Sequence, residues 1–324
     1  MENQRRKSTG YLIAIISTIS WSATGVIIAY LNERWAIPAI RIAFWRDFFV
    51  ALILLVLFVL FWRGRLRISR KRIPYFLIYG FTLAAYNAVW TYSVALNGAA
   101  VSTVLAYGSA GFTVVLARFI FKEWLTIPKI IAVFLSLGGC VLVANAHDPA
   151  VWQTGAAGIL IGLLSGLLFA IYTLMGKEAA RQGIDSWTTL LYTFGIAAGF
   201  LFLANQIPGM PGAEPGVLAI IPRVPLEAWL LLVLLSLGPT ILGYGLYNLS
   251  MHYIPAGVAN LICTLEPPLT ALEAYILLGE SLSGVQILGS AMVVAAVIVV
   301  RIAEDYADRR AASLAAGQGA GSTG

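Results

Sequence analysis

The sequence predicts an all-α, polytopic membrane protein of ten transmembrane helices arranged as two inverted five-helix repeats. Three observations predict it. The first is composition: 60% of the 324 residues are hydrophobic and 11% charged, with a mean hydropathy of +0.85, against roughly 25% charged residues in a soluble globular chain. The second is punctuation, because charge, proline and glycine divide the chain into ten apolar runs, each near the ~20 residues that cross ~30 Å of hydrocarbon. The third is an echo: RFIFKEWLT at 118–126 closely matches YILLGESLSG at 275–284, with Glu123 and Glu280 in register 157 positions apart (280 less 123). Lipid offers no partner for unpaired backbone groups, and the runs are too long and too uniformly apolar for alternating barrel strands, so each run is a helix.

Taken in order, span 1 (11–30) follows Arg5, Arg6 and Lys7. It resembles a signal peptide only in its flank; it is about 20 residues long without a small-residue cleavage site before Asn32, so it is read as retained. Trp21 and Ser22 lie about ten residues in, near the bilayer centre at ~1.5 Å per residue, whereas belt tryptophans sit at the interfaces. Trp62, Trp124 and Trp152, at span ends, fit that interfacial role. Span 2 (37–62) carries Arg41 and, near its middle, Arg46 and Asp47. Span 3 (74–96) places Tyr79, Thr82, Tyr86, Trp90 and Ser93 on one stripe with Asn87 beside it, and span 4 (99–121) contributes Tyr107 and Ser109. Span 5 (127–146) holds Cys140, span 6 (155–178) Tyr172, and span 7 (186–205) completes the series before a proline- and glycine-rich connection at 206–225, expected to cap the outer mouth.

Span 8 (226–251) repeats the polar and aromatic stripe as Ser236, Thr240, Tyr244 and Tyr247, with Asn248 adjacent. Span 9 (255–278) holds Asn260, Cys263, Thr264, Glu266, Pro267, Pro268 and Glu273, and span 10 (283–303) precedes a low-complexity tail. The two prolines remove backbone donors and free carbonyls near Cys263 and Thr264, which points to a hinge or a binding-site wall. The two cysteines are too few for a disulfide framework or a zinc site and are read as packing residues. This gives a first repeat at 1–148, a second at 149–303, and a flexible cytoplasmic tail at 304–324.

Cations fix the orientation, since lysine and arginine accumulate in cytoplasmic loops. With the N-terminus inside, the inner segments collect Arg5, Arg6 and Lys7, the six of RGRLRISRKR, then Lys122, Lys129, Lys177, Arg181, Arg301, Arg309 and Arg310; the outer ones hold Arg34 and Arg223. Both termini are therefore expected in the cytoplasm. The net charge of +6 is explained by these loops, and no nucleic-acid partner is expected.

Aligning Glu123 on Glu280 also pairs Ala99 with Ala256, Val101 with Val258, Thr113 with Thr270, Ala117 with Ala274 and Leu125 with Leu282. Five spans per half is odd, so the second half enters the bilayer from the opposite side, as in many secondary transporters. The architecture, with a Gly-x-Leu helix opening each half and a Glu-x-Leu turn before its last helix, resembles the drug/metabolite transporter superfamily. The stretch ANLICTLEPPLTALEAYILLGESLSGVQILGSAMVV at 259–294 is similar to that superfamily's second EamA-type repeat. The resemblance implies export of small metabolites, often amino acids, by alternating access; the aromatic content resembles the YddG-type exporters of aromatic amino acids. The first half departs from the pattern where Ala110 and Gly111 replace Pro267 and Pro268, so the two fourth-position helices are expected to bend differently.

A transport route is built from faces lipid does not see, so polar and aromatic residues recurring at helical spacing are the informative ones. Trp21, Ser22, Tyr79, Thr82, Tyr86, Asn87, Trp90, Tyr107, Ser109, Tyr172, Tyr244, Tyr247, Asn248, Asn260 and Thr264 are the candidate cavity wall. Their rings can stack on an aromatic side chain or hold an ammonium. The buried charges need partners: depth pairs Arg41 with Glu273, and Arg46 with either Glu266 or Asp47. Glu123 and Glu280 are placed to brace the turns before the last helix of each half. The expected function is a secondary transporter in a bacterial inner membrane exporting aromatic or other apolar amino acids, with sugars, nucleosides or quaternary amines as alternative substrates, and a channel as the lesser alternative. Two histidines, His147 and His252, with no HExxH, paired-aspartate or serine–histidine arrangement and no GxxxxGK[ST] loop, point away from an enzyme and from an ATP-driven pump. No cofactor or metal is expected; the small-molecule substrate and the bilayer are the expected partners, with a monomer and a homodimer both open.

Overall fold

The computed structural model describes residues 2–149, 155–209, 215–216, 220–278 and 281–320. Glu280 and Trp152 lie outside them. Among the described residues all regular structure is helical: α1 (Glu2–Trp35), α2 (Ala39–Phe61), α3 (Ile73–Tyr107), α4 (Ser109–Ile120), α5 (Ile127–Val143), α6 (Ala156–Arg181), α7 (Ser186–Asn205), α8 (Leu226–Leu235), α9 (Gly243–Ser250), α10 (Ala256–Cys263), α11 (Glu266–Leu278) and α12 (Gly284–Ala320). Short 3-10 turns at Arg63–Leu66 and Arg70–Arg72 join α2 to α3, and a π-helical turn at Ser236–Leu242 joins α8 to α9. Among the described residues, six segments are long and apolar enough to cross a bilayer: Ile40–Phe61, Val101–Ile120, Ala156–Arg181, Ser186–Asn205, Leu226–Ser250 and Gly284–Tyr306. The chain is a multi-pass membrane protein. Its outer surface carries the apolar side chains that lipid accepts, Phe119, Phe134, Leu160 and Ile276 among them.

Local chemistry sets the helix ends. Pro74 and Pro128 stand in the first turns of α3 and α5, where a missing N–H leaves nothing unsatisfied. Asp185 caps α7 by accepting from Thr188 N at 2.9 Å. Pro239 sits inside the π-helical turn, where Thr240 Oγ1 donates to Leu235 O at 2.8 Å. α12 runs on to Ala320, so residues 304–320 of the tail are helical; the alanine-rich AASLAA within it favours that state.

Although α3 is assigned as one helix, Ser93 Oγ and Ser102 Oγ lie 2.9 Å apart. Nine residues of a straight helix rise about 13.5 Å, so the chain reverses between those serines. The expected boundary between spans 3 and 4, at residues 97–98, lies between those serines. Span 4 then breaks at Gly108, whose N–H donates back to Leu105 O at 3.1 Å, and span 9 breaks at Thr264–Leu265, where Leu265 N donates to Ile262 O at 3.0 Å. Both are the same tightened turn, at positions that the Glu123–Glu280 register superposes. Pro267 and Pro268, in the first turn of α11, lack the N–H groups that would reach Cys263 O and Thr264 O, so the break falls at the carbonyls they were expected to free; the expectation that the two helices bend differently is corrected, because Gly108 makes the equivalent break without prolines.

The helices α3, α6 and α7 pack together, α2 lies on α7, α1 lies against α9 and α11, and α5 lies against α12. The α5–α12 crossing is close because it is glycine on glycine: a Cβ on Gly139 would stand 2.6 Å from Gly289 O. Small residues at such crossings let backbones approach where lipid gives no hydrophobic drive. Lys7 Nζ meets Glu304 Oε2 at 3.4 Å and Lys129 Nζ meets Glu304 Oε1 at 2.7 Å. The start of α1, the first turn of α5 and the end of the membrane-crossing part of α12 therefore share one face of the molecule.

Candidate functional site

Rings from five helices converge where α1, α3, α6, α7 and α9 meet. Trp21 of α1 lies on Tyr244 of α9 with centroids 4.2 Å apart, and meets Phe169 of α6 edge-on at 5.7 Å and Tyr247 of α9 at 5.9 Å. Phe169 also faces Tyr86 of α3 at 5.1 Å. Tyr172 joins Tyr79 at 4.9 Å and Tyr244 at 5.8 Å, and Phe194 of α7 closes the cluster on Tyr244 at 5.0 Å. Spacing explains the convergence: Phe169 and Tyr172, and Tyr244 and Tyr247, are three apart on single helix faces, and tilted or edge-on contacts suit the ring quadrupoles. Tyr79, Tyr172 and Tyr247 are fully buried, so the rings pack on one another rather than line an open chamber. A separate cleft of about 340 Å³ lies between α2 and α7, lined by Phe48, Leu52, Leu55, Leu191 and Tyr192, and is almost wholly apolar.

Polar groups lie within and around the rings. Tyr247 Oη and Thr173 Oγ1 are 2.8 Å apart, Asn260 Nδ2 donates to Thr173 Oγ1 at 3.1 Å, and Ser109 Oγ donates to Asn260 Oδ1 at 3.1 Å. One chain of hydrogen bonds thus ties α4, α6, α9 and α10. A second node is different: Tyr79 Oη, Tyr172 Oη and both amide atoms of Asn248 are buried, yet none meets hydrogen-bond geometry with another described residue. They are close enough to act on one another electrostatically, and Gly176 makes the room, since a Cβ there would stand 2.9 Å from Tyr79 Oη and 3.0 Å from Asn248 Oδ1. The Tyr172 hydroxyl interacts with both Asn248 and Tyr79, so the three polar groups form one node beside Gly176.

The charges take particular partners. Arg46 Nε donates to Asp47 Oδ1 at 3.0 Å, and Asn87 Nδ2 donates to Asp47 Oδ2 at 3.2 Å. Of the two partners that depth offered Arg46, the structure has Asp47. Glu266 accepts instead from Tyr107 Oη at 2.6 Å. Glu273, matched by depth to Arg41, accepts from Ser22 Oγ at 2.6 Å; Arg41 itself is buried. Glu123 Oε1 accepts from Ala256 N at 3.1 Å, so the carboxylate braces the start of α10 rather than that of α5, the helix following its own turn.

Several candidates serve packing. Thr82 Oγ1 donates back to Ile78 O at 2.8 Å and touches Met175 Sδ. Thr264 Oγ1 donates to Leu261 O and accepts from Ser136 Oγ, both at 2.6 Å, while the carbonyl freed at the break, Thr264 O, meets Cys140 Sγ at 3.8 Å. Trp90 is half-buried and stands outside the ring cluster. Phe169, Phe194 and Thr173 were missed by the sequence reading. Phe169 had a signal in its place three residues before Tyr172; a lone phenylalanine in an apolar run, as Phe194 is, gives none.

The EamA-like transporter family matches two segments, residues 8–145 and 156–302. Curated relatives include an S-adenosylmethionine uptake transporter of Rickettsia conorii, 26% identical over 274 residues and covering 84% of this chain and 85% of its own. A threonine/homoserine exporter, RhtA, of Salmonella typhimurium is 27% identical over 248 residues, covering 76% and 77%. A solved protein crystal structure superposes with a TM-score of 0.75 at 17% identity, over 91% of this chain and 97% of that one, which is a likeness of fold.

Proposed function

Because the chain belongs to the EamA-like transporter family, we propose that it is a secondary transporter that carries small amino-acid solutes outward by alternating access through the ring-lined seam. The observation that carries the reading is the convergence of Trp21, Tyr86, Phe169, Tyr172, Tyr244 and Tyr247 beside unmatched polar atoms of Tyr79, Tyr172 and Asn248. Aromatic faces hold an apolar side chain or an ammonium, and neutral amide and hydroxyl groups bind polar ends loosely enough for release. Threonine, homoserine and S-adenosylmethionine, the substrates that two relatives' names carry, share an α-ammonium and an α-carboxylate, which supports an amino-acid head group as the recognised feature. The outward direction follows the threonine/homoserine exporter.

The proposed architecture is ten crossings in two inverted halves, 1–148 and 149–303. The two family matches, the superposable breaks at Gly108 and Leu265, and the shared face of Lys7 and Glu304 support it. That face also carries Lys129 and Lys177, and under the positive-inside rule it is the cytoplasmic side of a bacterial inner membrane. The test is counterflow in liposomes with labelled phenylalanine, threonine, S-adenosylmethionine, a hexose, a nucleoside and choline. Amino-acid solutes alone are expected to exchange, and Tyr244→Ala is expected to abolish exchange while Trp124→Ala, at an exposed position, leaves it intact. Exchange of the hexose, nucleoside or choline in place of the amino acids would overturn the reading.

A further inference from the structure

The cleft between α2 and α7 lies outside the ring cluster, within two of the membrane-crossing segments. Small residues open it. Ala51 of α2 stands opposite Gly195 of α7, where a Cβ would lie 3.5 Å from Ala51 Cβ, and Ala198 follows about one turn on. Phe48, Leu52 and Leu55 rim the α2 side. The 48–55 and 191–198 stretches each rise about 10 Å, much of one leaflet's half of the ~30 Å hydrocarbon. Gly199, with open space where a Cβ would stand, carries the groove on into a second hollow beside Phe200 and Leu203.

One end of the cleft is charged. Leu66, which lines it, belongs to the 3-10 turn Arg63–Leu66. Three contacts fix that turn on α7: Tyr192 Oη donates to Leu66 O at 2.5 Å, Thr188 Oγ1 donates to Arg65 O at 3.3 Å, and Arg65 Nη1 meets Asp185 Oδ2 at 3.6 Å. Arg65 also lies over the Phe58 and Trp62 rings at 5.8 and 5.5 Å. Arg63, Arg67, Arg70 and Lys71 around it are exposed. Asp185 is engaged by Arg65 and Thr188, so this mouth of the cleft stays cationic.

An apolar groove ending in a cluster of cations fits a molecule with an apolar chain and an anionic head. A zwitterionic metabolite finds no polar partner among Phe48, Leu52, Leu55 and Leu191, and the Tyr192 hydroxyl is taken. A second copy docked by the same face would bring its own basic turn against the first. We propose that the α2–α7 cleft binds an anionic phospholipid of the adjoining leaflet. One acyl chain lies against Ala51, Leu55, Gly195 and Ala198, and the phosphate meets the cations of 63–71. Basic clusters beside a membrane helix recruit anionic headgroups, and arginine presents paired N–H donors to phosphate. The site is independent of which solute crosses the ring-lined seam.

Native mass spectrometry of the purified protein, titrated with dioleoyl phosphatidylglycerol and with dioleoyl phosphatidylcholine, reads the site, because the two lipids share chains and differ in headgroup charge. The wild-type protein is expected to hold the anionic lipid about tenfold more tightly. The Arg63→Gln/Arg67→Gln/Arg70→Gln variant alters exposed side chains and is expected to bring the two lipids within about twofold. Gly195→Leu fills the floor of the cleft and is expected to weaken the anionic lipid about tenfold or more; Ala51→Leu makes the same block from α2, and thermal unfolding identifies the folded variants. Glycerol 3-phosphate, the head without its chains, is expected not to compete. Equal retention of both lipids by the wild-type protein overturns the proposal, as does a folded arginine variant that keeps the full preference, a folded cleft variant that binds like wild type, or competition by glycerol 3-phosphate alone. A lipid-free wild-type dimer that Gly195→Leu dissociates would give the cleft to a second copy and overturn it likewise.

Discussion

Phe169→Ala should be the most damaging single truncation in the seam. The ring touches Trp21, Tyr86, Tyr172 and Tyr247 at centroid distances of 5.7, 5.1, 6.0 and 6.2 Å. In a soluble core such a change costs about 3–5 kcal/mol, part of it the transfer of the ring to water. Within a bilayer the denatured helices stay in hydrocarbon, so most of the transfer contribution is lost and the packing remains. Four ring pairs at about 0.5–1.5 kcal/mol each put the expected loss at roughly 2–6 kcal/mol. Reversible unfolding by sodium dodecyl sulfate in mixed micelles, followed by tryptophan fluorescence, measures it, with Phe134→Ala as the matched control because Phe134 is 72% exposed on the lipid face. The control is expected to change stability by well under 1 kcal/mol. Equal losses for the two variants would refute the packed cluster.

Three further substitutions test other contacts. Gly139→Ala places a Cβ 2.6 Å from Gly289 O and 2.6 Å from Val293 Cγ2; it is expected to cost about 1–3 kcal/mol by overpacking in the same unfolding assay, whereas Gly199→Ala, which meets nothing within 4 Å, is expected to be neutral or stabilising. Glu123→Gln keeps an acceptor for Ala256 N but removes the charge from the start of α10, for an expected loss of about 0.3–1 kcal/mol, and Glu123→Ala is expected to lose more; equal effects would show that the hydrogen bond contributes nothing. Asn87→Ala strips a donor from buried Asp47 for about 1–3 kcal/mol, while Asn87→Asp adds a like charge and is expected to leave little folded protein by size-exclusion chromatography, the opposite ranking counting against the Asp47 geometry.

The helical character of the chain was legible because lipid makes hydropathy a direct readout of crossing segments: the predicted span at 186–205 is α7 to the residue. The reversal between Ser93 and Ser102 was legible too, from the Asn97–Gly98 interruption between spans 3 and 4. The break at Gly108 was not, because no proline stands at the equivalent positions, Ala110 and Gly111, to announce it. Aromatic partners were half legible. Tyrosine and tryptophan deep in a span are conspicuous, but phenylalanine suits lipid and protein equally, so Phe194 carried no excess signal and Phe169 only that of its place three residues before Tyr172. Charge pairing was harder, since side chains adjacent on a helix point about 100° apart; Arg46 nevertheless reaches back to Asp47 with Nε. Glu123 was expected to brace its own turn, and that it accepts from Ala256 N at the start of α10 is a tertiary fact that local sequence does not hold.

The most direct test of the transport seam is its accessibility from each side of the membrane. Asn248→Cys, in protein whose Cys140 and Cys263 are replaced by serine and alanine, is reacted with a membrane-impermeant maleimide applied to inside-out and to right-side-out vesicles. The account predicts modification from both sides, slowed in each case by the transported amino acid. A thiol that stays unreactive from one side at every substrate concentration would contradict alternating access through these rings.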